Sequence, residues 1–219
     1  MPRDLEQFEL LNTRSQLRRA AEHAFAFYRG AISREECQQV IDDSYELLGK
    51  SARVKHHLVP LAQMWTIERL RRVGILDRRF TRTAPEVLFV DRHDTHAAPM
   101  AAALLASYAR GRVHVSSAGD EPVSAIDPDV VRVLADLGVD AGEAFPKPLT
   151  DDAVRGADVI VLLADVAVVA GSEVTGQLLR WDVGALEGQP YEVLEAARDE
   201  LDLRVLRLLA DVLTTAGTV

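Results

Sequence analysis

Cysteine is almost missing from this sequence. A single thiol, Cys37, excludes an intrachain disulfide and any thiolate cluster able to hold zinc or iron–sulfur. Positive charge is also in short supply: 25 Lys and Arg stand against 34 Asp and Glu, for a net charge of -9. A nucleic-acid partner calls for a basic face, so none is expected. No apolar run approaches the roughly 20 residues that a bilayer-spanning helix needs. The first twelve residues lack a charged stretch followed by an apolar one, so no secretory signal is read there. Internal repeats and low-complexity tracts are absent as well. These absences point to a cytoplasmic chain with neither a membrane nor a nucleic-acid partner. What remains is ample core material, 48% hydrophobic over 219 residues, enough for one ordinary domain plus a small one.

The composition shifts near Asp77–Pro85. Residues 1–80 read as a small helical bundle and residues 85–215 as an α/β domain. In the first part, Ser33-Arg34-Glu35-Glu36 has the form of a capping box, with Ile32 and Cys37 at the staple positions around it. Val40, Ile41, Ser44, Tyr45 and Leu48 follow at helical spacing, and Gly49 is placed to end that helix. Leu17, Ala20, Ala21, Ala24, Phe27 and Tyr28 mark a helix before it. Val54, Leu58, Leu61, Met64 and Trp65 mark one after it, from about Ala52 to Gly74. His56 and His57 are adjacent, so they diverge on a helix and read as surface residues.

The second part alternates strands and helices. Val87-Leu88-Phe89-Val90, Val113-His114-Val115, Asp158 to Leu163 and Leu178 to Asp182 read as strands. Helices are expected after Pro99, over Asp127–Leu137 and over Tyr191–Leu213. That alternation predicts a four-stranded parallel sheet flanked by helices.

Several blocks of this part resemble the low-molecular-weight protein tyrosine phosphatase and arsenate-reductase-like family. They are Val87-Leu88-Phe89-Val90 with Pro99-Met100-Ala101, then Ser116-Ser117-Ala118-Gly119, Lys147-Pro148-Leu149-Thr150, Ala157-Asp158-Val159 and Trp181-Asp182. Their order and spacing carry the resemblance over about the last two thirds of the chain. The helical preface looks like one found on some actinobacterial members. The resemblance implies a catalytic cysteine after the first strand and an arginine six positions on, a thiolate to attack phosphorus or arsenic and a clamp for the oxyanion. Here those positions hold Asp91 and Ala97. The general-acid position falls on Ala185, and the resolving-thiol positions on Asp165 and Val169. Neither phosphatase nor arsenate reductase activity is therefore expected.

The altered loop reads Asp91-Arg92-His93-Asp94-Thr95-His96-Ala97. Two carboxylates in one small cup repel a dianion, by several kcal/mol each at about 4 Å and an effective dielectric near 20. A cation, an amine or a neutral substrate suits such a cup better. Three readings stay open. In the first, Asp91, His93, His96 and Asp182 are catalytic acid–base groups, with Arg92, Asp94 and Thr95 binding a small-molecule ligand or substrate. In the second, Asp91, His93 and His96 hold a divalent metal. In the third, the loop is vestigial or binds a ligand without chemistry: His93 and Asp94 stand where some members carry His-Asn, and Asp91 caps amides left empty by the missing anion. That last reading makes the chain a pseudophosphatase that binds a ligand or a regulatory protein. His114 reads as a packed strand residue, Phe145 and Tyr191 as crevice-lining or core aromatics, and the charged face of the last helix as solvated surface. A homodimer, if there is one, is expected through the helical part.

Overall fold

The computed structural model describes residues 2–52, 57–163 and 173–216, with side chains described between residues 11 and 215. The chain divides into two compact units, Met1–Thr81 and Arg82–Val219. His56, Val54, Asp165 and Val169 fall outside the described residues.

The first unit holds α1 (Pro2–Phe27), α2 (Arg34–Ser51) and α3 (Leu58–Leu76). Leu17, Ala20, Ala21 and Ala24 are buried at spacings of three and four, which places them on one stripe of α1. The capping box that opens α2 forms in full. The Ser33 hydroxyl accepts from the Glu36 amide at 3.1 Å, and the Glu36 carboxylate accepts from the Ser33 amide at 3.0 Å. Arg79 then grips the same carboxylate through both guanidinium nitrogens, at 2.9 and 2.8 Å, and holds Glu36 down to a pKa of about 2. Ile32 and Cys37 are both fully buried beside the cap. Burial is also what raises the Cys37 thiol pKa, so it is a packed group and not an activated one. Gly49 does not stop α2: it sits inside the helix, which runs on to Ser51, with Ala52 as an extended C-cap. The third helix starts later than its apolar pattern suggests, at Leu58, and His57 is exposed.

The second unit is built on four parallel strands, β1 (Glu86–Asp91), β2 (His114–Gly119), β3 (Val159–Leu162) and β4 (Gln177–Arg180), in the order β2-β1-β3-β4. Helices α4 (Ala97–Ala109), α5 (Pro128–Ala135), α6 (Asp151–Gly156) and α7 (Tyr191–Ala216) complete it. The central strand β1 is buried at every position, as a parallel strand covered on both faces must be, and this is why it reads as an uninterrupted apolar run. Val87 and Phe89 face a core with Leu104, Val133, Leu201 and Val205. Leu88 and Val90 face the other side, with Ala153, Val154 and Ala157. No helix among the described residues is long and apolar enough to cross a membrane. His114 opens β2 half-buried.

Candidate functional site

The loop of interest joins the C-terminal end of β1 to the N-terminus of α4, the usual ligand crevice of an open parallel sheet. Gly119, at the end of the neighbouring strand, makes room for it. A Cβ there would stand 2.6 Å from the Arg92 carbonyl oxygen and 2.9 Å from the Asp94 nitrogen, so only glycine lets β2 pass this close.

Asp91 ends β1, is 7% exposed, and turns its carboxylate into the loop. Its Oδ1 accepts from the Asp94 amide at 2.5 Å and its Oδ2 from the Ala98 amide at 2.9 Å. Ala98 lies in the first turn of α4, where amides have no partner within the helix and the helix dipole favours negative charge. Both oxygens of Asp91 are thus engaged by loop and helix backbone.

Asp94 has a left-handed backbone, φ 54°, and is fully buried. Its Oδ2 accepts from the Lys147 amide at 2.8 Å, which ties the loop to the segment after α5. Its Oδ1 has no hydrogen-bond partner among the described residues. Burial raises its pKa from an ordinary 3.8 to about 7, and the nearby Asp91 charge adds to that; Lys147 and the Ser117 hydroxyl oppose it.

His96 is the N-cap of α4 by position, but its side chain does not cap. Its Nδ1 lies 2.8 Å from the Thr95 hydroxyl and its Nε2 3.1 Å from Asp127 Oδ2. One neutral tautomer satisfies both contacts: Nε2–H donates to the carboxylate and Nδ1 accepts from the hydroxyl. Asp127 in turn caps α5, with its Oδ1 accepting from the Asp129 amide at 2.8 Å. Thr95 and His96 are both shielded from solvent by this chain of contacts.

The remaining candidates lie apart. Arg92 is exposed and stands 3.8 Å from Glu121, on the outside of the loop. His93 Nδ1 is 3.5 Å from Glu187. Asp182 is exposed and accepts from the Gly184 amide at 3.0 Å, its bond to the turn that follows it rather than to the loop. Trp181 packs on Phe89 instead, at 5.9 Å between centroids. Phe145 lies under the Lys147 ammonium, and the Tyr191 hydroxyl donates to Asp136 at 2.6 Å, so neither aromatic serves the loop. Asp91, His93, His96 and Asp182 do not converge. Asp91, His93 and His96, the candidate metal set, each face a different partner, and no group of three His, Cys, Asp or Glu able to hold a metal occurs among the described residues. Asp127 and Lys147 are the partners that sequence reasoning missed. Asp127-Pro128 signals a helix start, but nothing local signals that its second oxygen receives an imidazole 31 residues back.

The fold and this strand–loop–helix site define a class. Residues 86–178 match the family described as low molecular weight phosphotyrosine protein phosphatase, and residues 17–74 match the protein-tyrosine-phosphatase-like N-terminal domain. The chain belongs to the low molecular weight phosphotyrosine phosphatase and arsenate reductase family, in the form that carries an N-terminal helical domain. Among solved structures, the thioredoxin-dependent arsenate reductase of Corynebacterium glutamicum is 32% identical, with a TM-score of 0.78, covering 91% of this chain and 97% of that one. The YwlE arginine phosphatase of Geobacillus stearothermophilus is 27% identical, with a TM-score of 0.55, over 60% of this chain and 94% of its own. A putative arsenate reductase of Halobacterium salinarum is 24% identical over 96 residues, 44% of this chain and 67% of that protein. Cys37, in the N-terminal helical unit, is not the family's catalytic cysteine.

Proposed function

We propose that this protein is a pseudophosphatase, a member of the family that keeps the fold, lacks its thiol chemistry and serves as a ligand-binding or protein-interaction module. One observation carries the reading. The carboxylate of Asp91, at the position the family resemblance gives to the nucleophile, accepts from the Asp94 and Ala98 amides. A loop that elsewhere gathers its amides around an oxyanion is here liganded from within by its own side chain. With Ala97 at the clamp position, the arginine that the loop does carry is Arg92, which is exposed on its outside beside Glu121. A cytoplasmic location and a small-molecule or regulatory-protein partner belong to the same proposal.

The test is direct. p-Nitrophenyl phosphate hydrolysis and thiol-dependent arsenate reduction by the purified protein should stay at the level of the enzyme-free blank. Turnover above it contradicts the proposal.

A second reading, acid–base chemistry in a repurposed site, draws support from the run of contacts Thr95–His96–Asp127. A hydroxyl beside an imidazole that a carboxylate orients is the arrangement of an activated nucleophile. The sequence-based assignment of catalysis to Asp91 and Asp182 would then pass to Thr95, His96 and Asp127. Its test is a fluorophosphonate or activated-ester probe. Labelling of Thr95 that His96→Ala abolishes favours this reading, and an unlabelled protein favours the pseudophosphatase.

A further inference from the structure

Strand β2 is an edge strand, and part of its outer edge is unclaimed. The His114 amide donates to the Pro85 carbonyl at 2.8 Å, and His114 pairs in register with Glu86, so His114, Ser116 and Ala118 turn their backbone groups toward β1. Val115, Ser117 and Gly119 therefore turn theirs outward. Gly119 shows what an outer partner does. Its amide donates to the Lys147 carbonyl and its carbonyl accepts from the Leu149 amide, both at 2.8 Å, in a parallel bridge with Pro148. That bridge stops after one position. The outward groups of Val115 and Ser117 have no hydrogen-bond partner among the described residues, although Ser117 is only 5% exposed. Backbone groups so shielded ordinarily have a partner.

A cavity of about 260 Å³ lies where that partner would be. One wall is the face of α4 formed by Ala102, Ala103 and Ala106, and Val115, Ser116 and Ser117 form part of the lining. Small side chains on the helix leave the space that larger ones would fill. The lining is charged with both signs. Lys147 contributes a half-buried ammonium that rests over the Phe145 ring, 4.9 Å from its centroid, and makes no ion pair among the described residues. Asp140 and Glu143 contribute two exposed carboxylates, also without ion pairs among the described residues.

We propose that this cavity binds a short peptide as an added strand on the edge of β2. The free edge from Val115 to Ser117 is about 7 Å long at roughly 3.3 Å per residue, which suits two or three residues. Main-chain bonds to Val115 and Ser117 hold the peptide extended, in the manner of strand addition. Lys147, from the segment that already pairs with the C-terminal end of β2, takes the peptide's carboxylate, and Asp140 or Glu143 takes its ammonium. A free zwitterionic di- or tripeptide fits this charge pattern, and an uncharged ligand does not use it.

Titration of the full-length protein with trialanine, followed by amide-resolved NMR, tests the proposal. The expected result is saturable shifts of the Val115 and Ser117 amides. Affinity should fall at least tenfold for trialanine methylated on its central amide, for trialanine carboxamide, and for trialanine against Lys147→Met. The peptide-side changes keep the test decisive should the Lys147 variant fold poorly. Absence of saturable shifts at 50 mM, equal binding of free alanine, or indifference to amide methylation overturns the proposal. So does concentration-dependent self-association that shifts the same two amides, which assigns the edge to a second copy of the chain.

Discussion

Asp94→Asn is the substitution from which the structure predicts a gain. Asp94 is fully buried, one oxygen is unpartnered, and its pKa rises from 3.8 to about 7. In the unfolded chain the same group ionises near 3.9. Between these values the unfolded state releases a proton that the folded state keeps, so stability falls as pH rises from about 4 to about 7 and levels off above. Each pH unit in that window costs about 1.4 kcal/mol, and the whole window about 4 kcal/mol. Asparagine cannot ionise. Its amide oxygen can still accept from Lys147, while its NH2 group fills the place of the unpartnered Oδ1 at a cost of roughly 1–3 kcal/mol. Asp94→Asn is therefore expected to be about 1–3 kcal/mol more stable than the parent at pH 8 and equally or less stable at pH 4.5. Urea unfolding of both proteins at pH 4.5, 6 and 8 reads this out as a widening gap in midpoint. A gap that does not change with pH refutes the reasoning, because it means that Asp94 titrates in the folded protein as it does in the unfolded one.

Three further expectations follow from local geometry. His96→Ala removes the imidazole that joins Thr95 to Asp127, and a double-mutant cycle with Asp127→Ala should show coupling of about 1–3 kcal/mol; additive effects count against the contact. Gly119→Ala drives a methyl group against the Arg92 carbonyl and should cost about 1–3 kcal/mol in urea unfolding, with a neutral result contradicting the close passage of strand and loop. Cys37→Ser puts a hydroxyl into a fully buried apolar site and should cost about 1–3 kcal/mol while any ligand binding persists, and selective loss of binding in a folded variant would place the site in the wrong unit.

Local chemistry was the part most legible in the sequence. The α2 capping box needs only Ser33 and Glu36, three residues apart, and it forms as read. The apolar run of β1 announces a strand covered on both faces. Other elements answered to partners the sequence does not display. β2 extends through Ser116-Ser117-Ala118-Gly119 because β1 supplies its ladder, whereas apolar pattern alone ends it at Val115. Helix α6 is six residues long, too short for a periodic signal, and went unread. At the site, the loop's place between strand and helix was readable. The partners were not. Asp94 bonds Lys147 across 53 residues and His96 bonds Asp127 across 31, distances over which a single sequence carries no pairing signal. Four polar residues close together suggested convergence on a substrate; in the fold each is drawn to a different neighbour.

The central claim is that the Asp91 carboxylate occupies loop amides that would otherwise face an anion. Thermal unfolding of the parent and of Asp91→Ala, each with and without 10 mM phosphate at constant ionic strength, measures it most directly. Phosphate should leave the melting temperature of the parent unchanged. Once the carboxylate is gone, phosphate binding with a Kd of about 1 mM contributes about 1.4 kcal/mol to the variant. For a chain of this size that is a rise of about 3 to 6 °C in Tm. Phosphate stabilisation of the parent, or none of a folded Asp91→Ala variant, contradicts the claim.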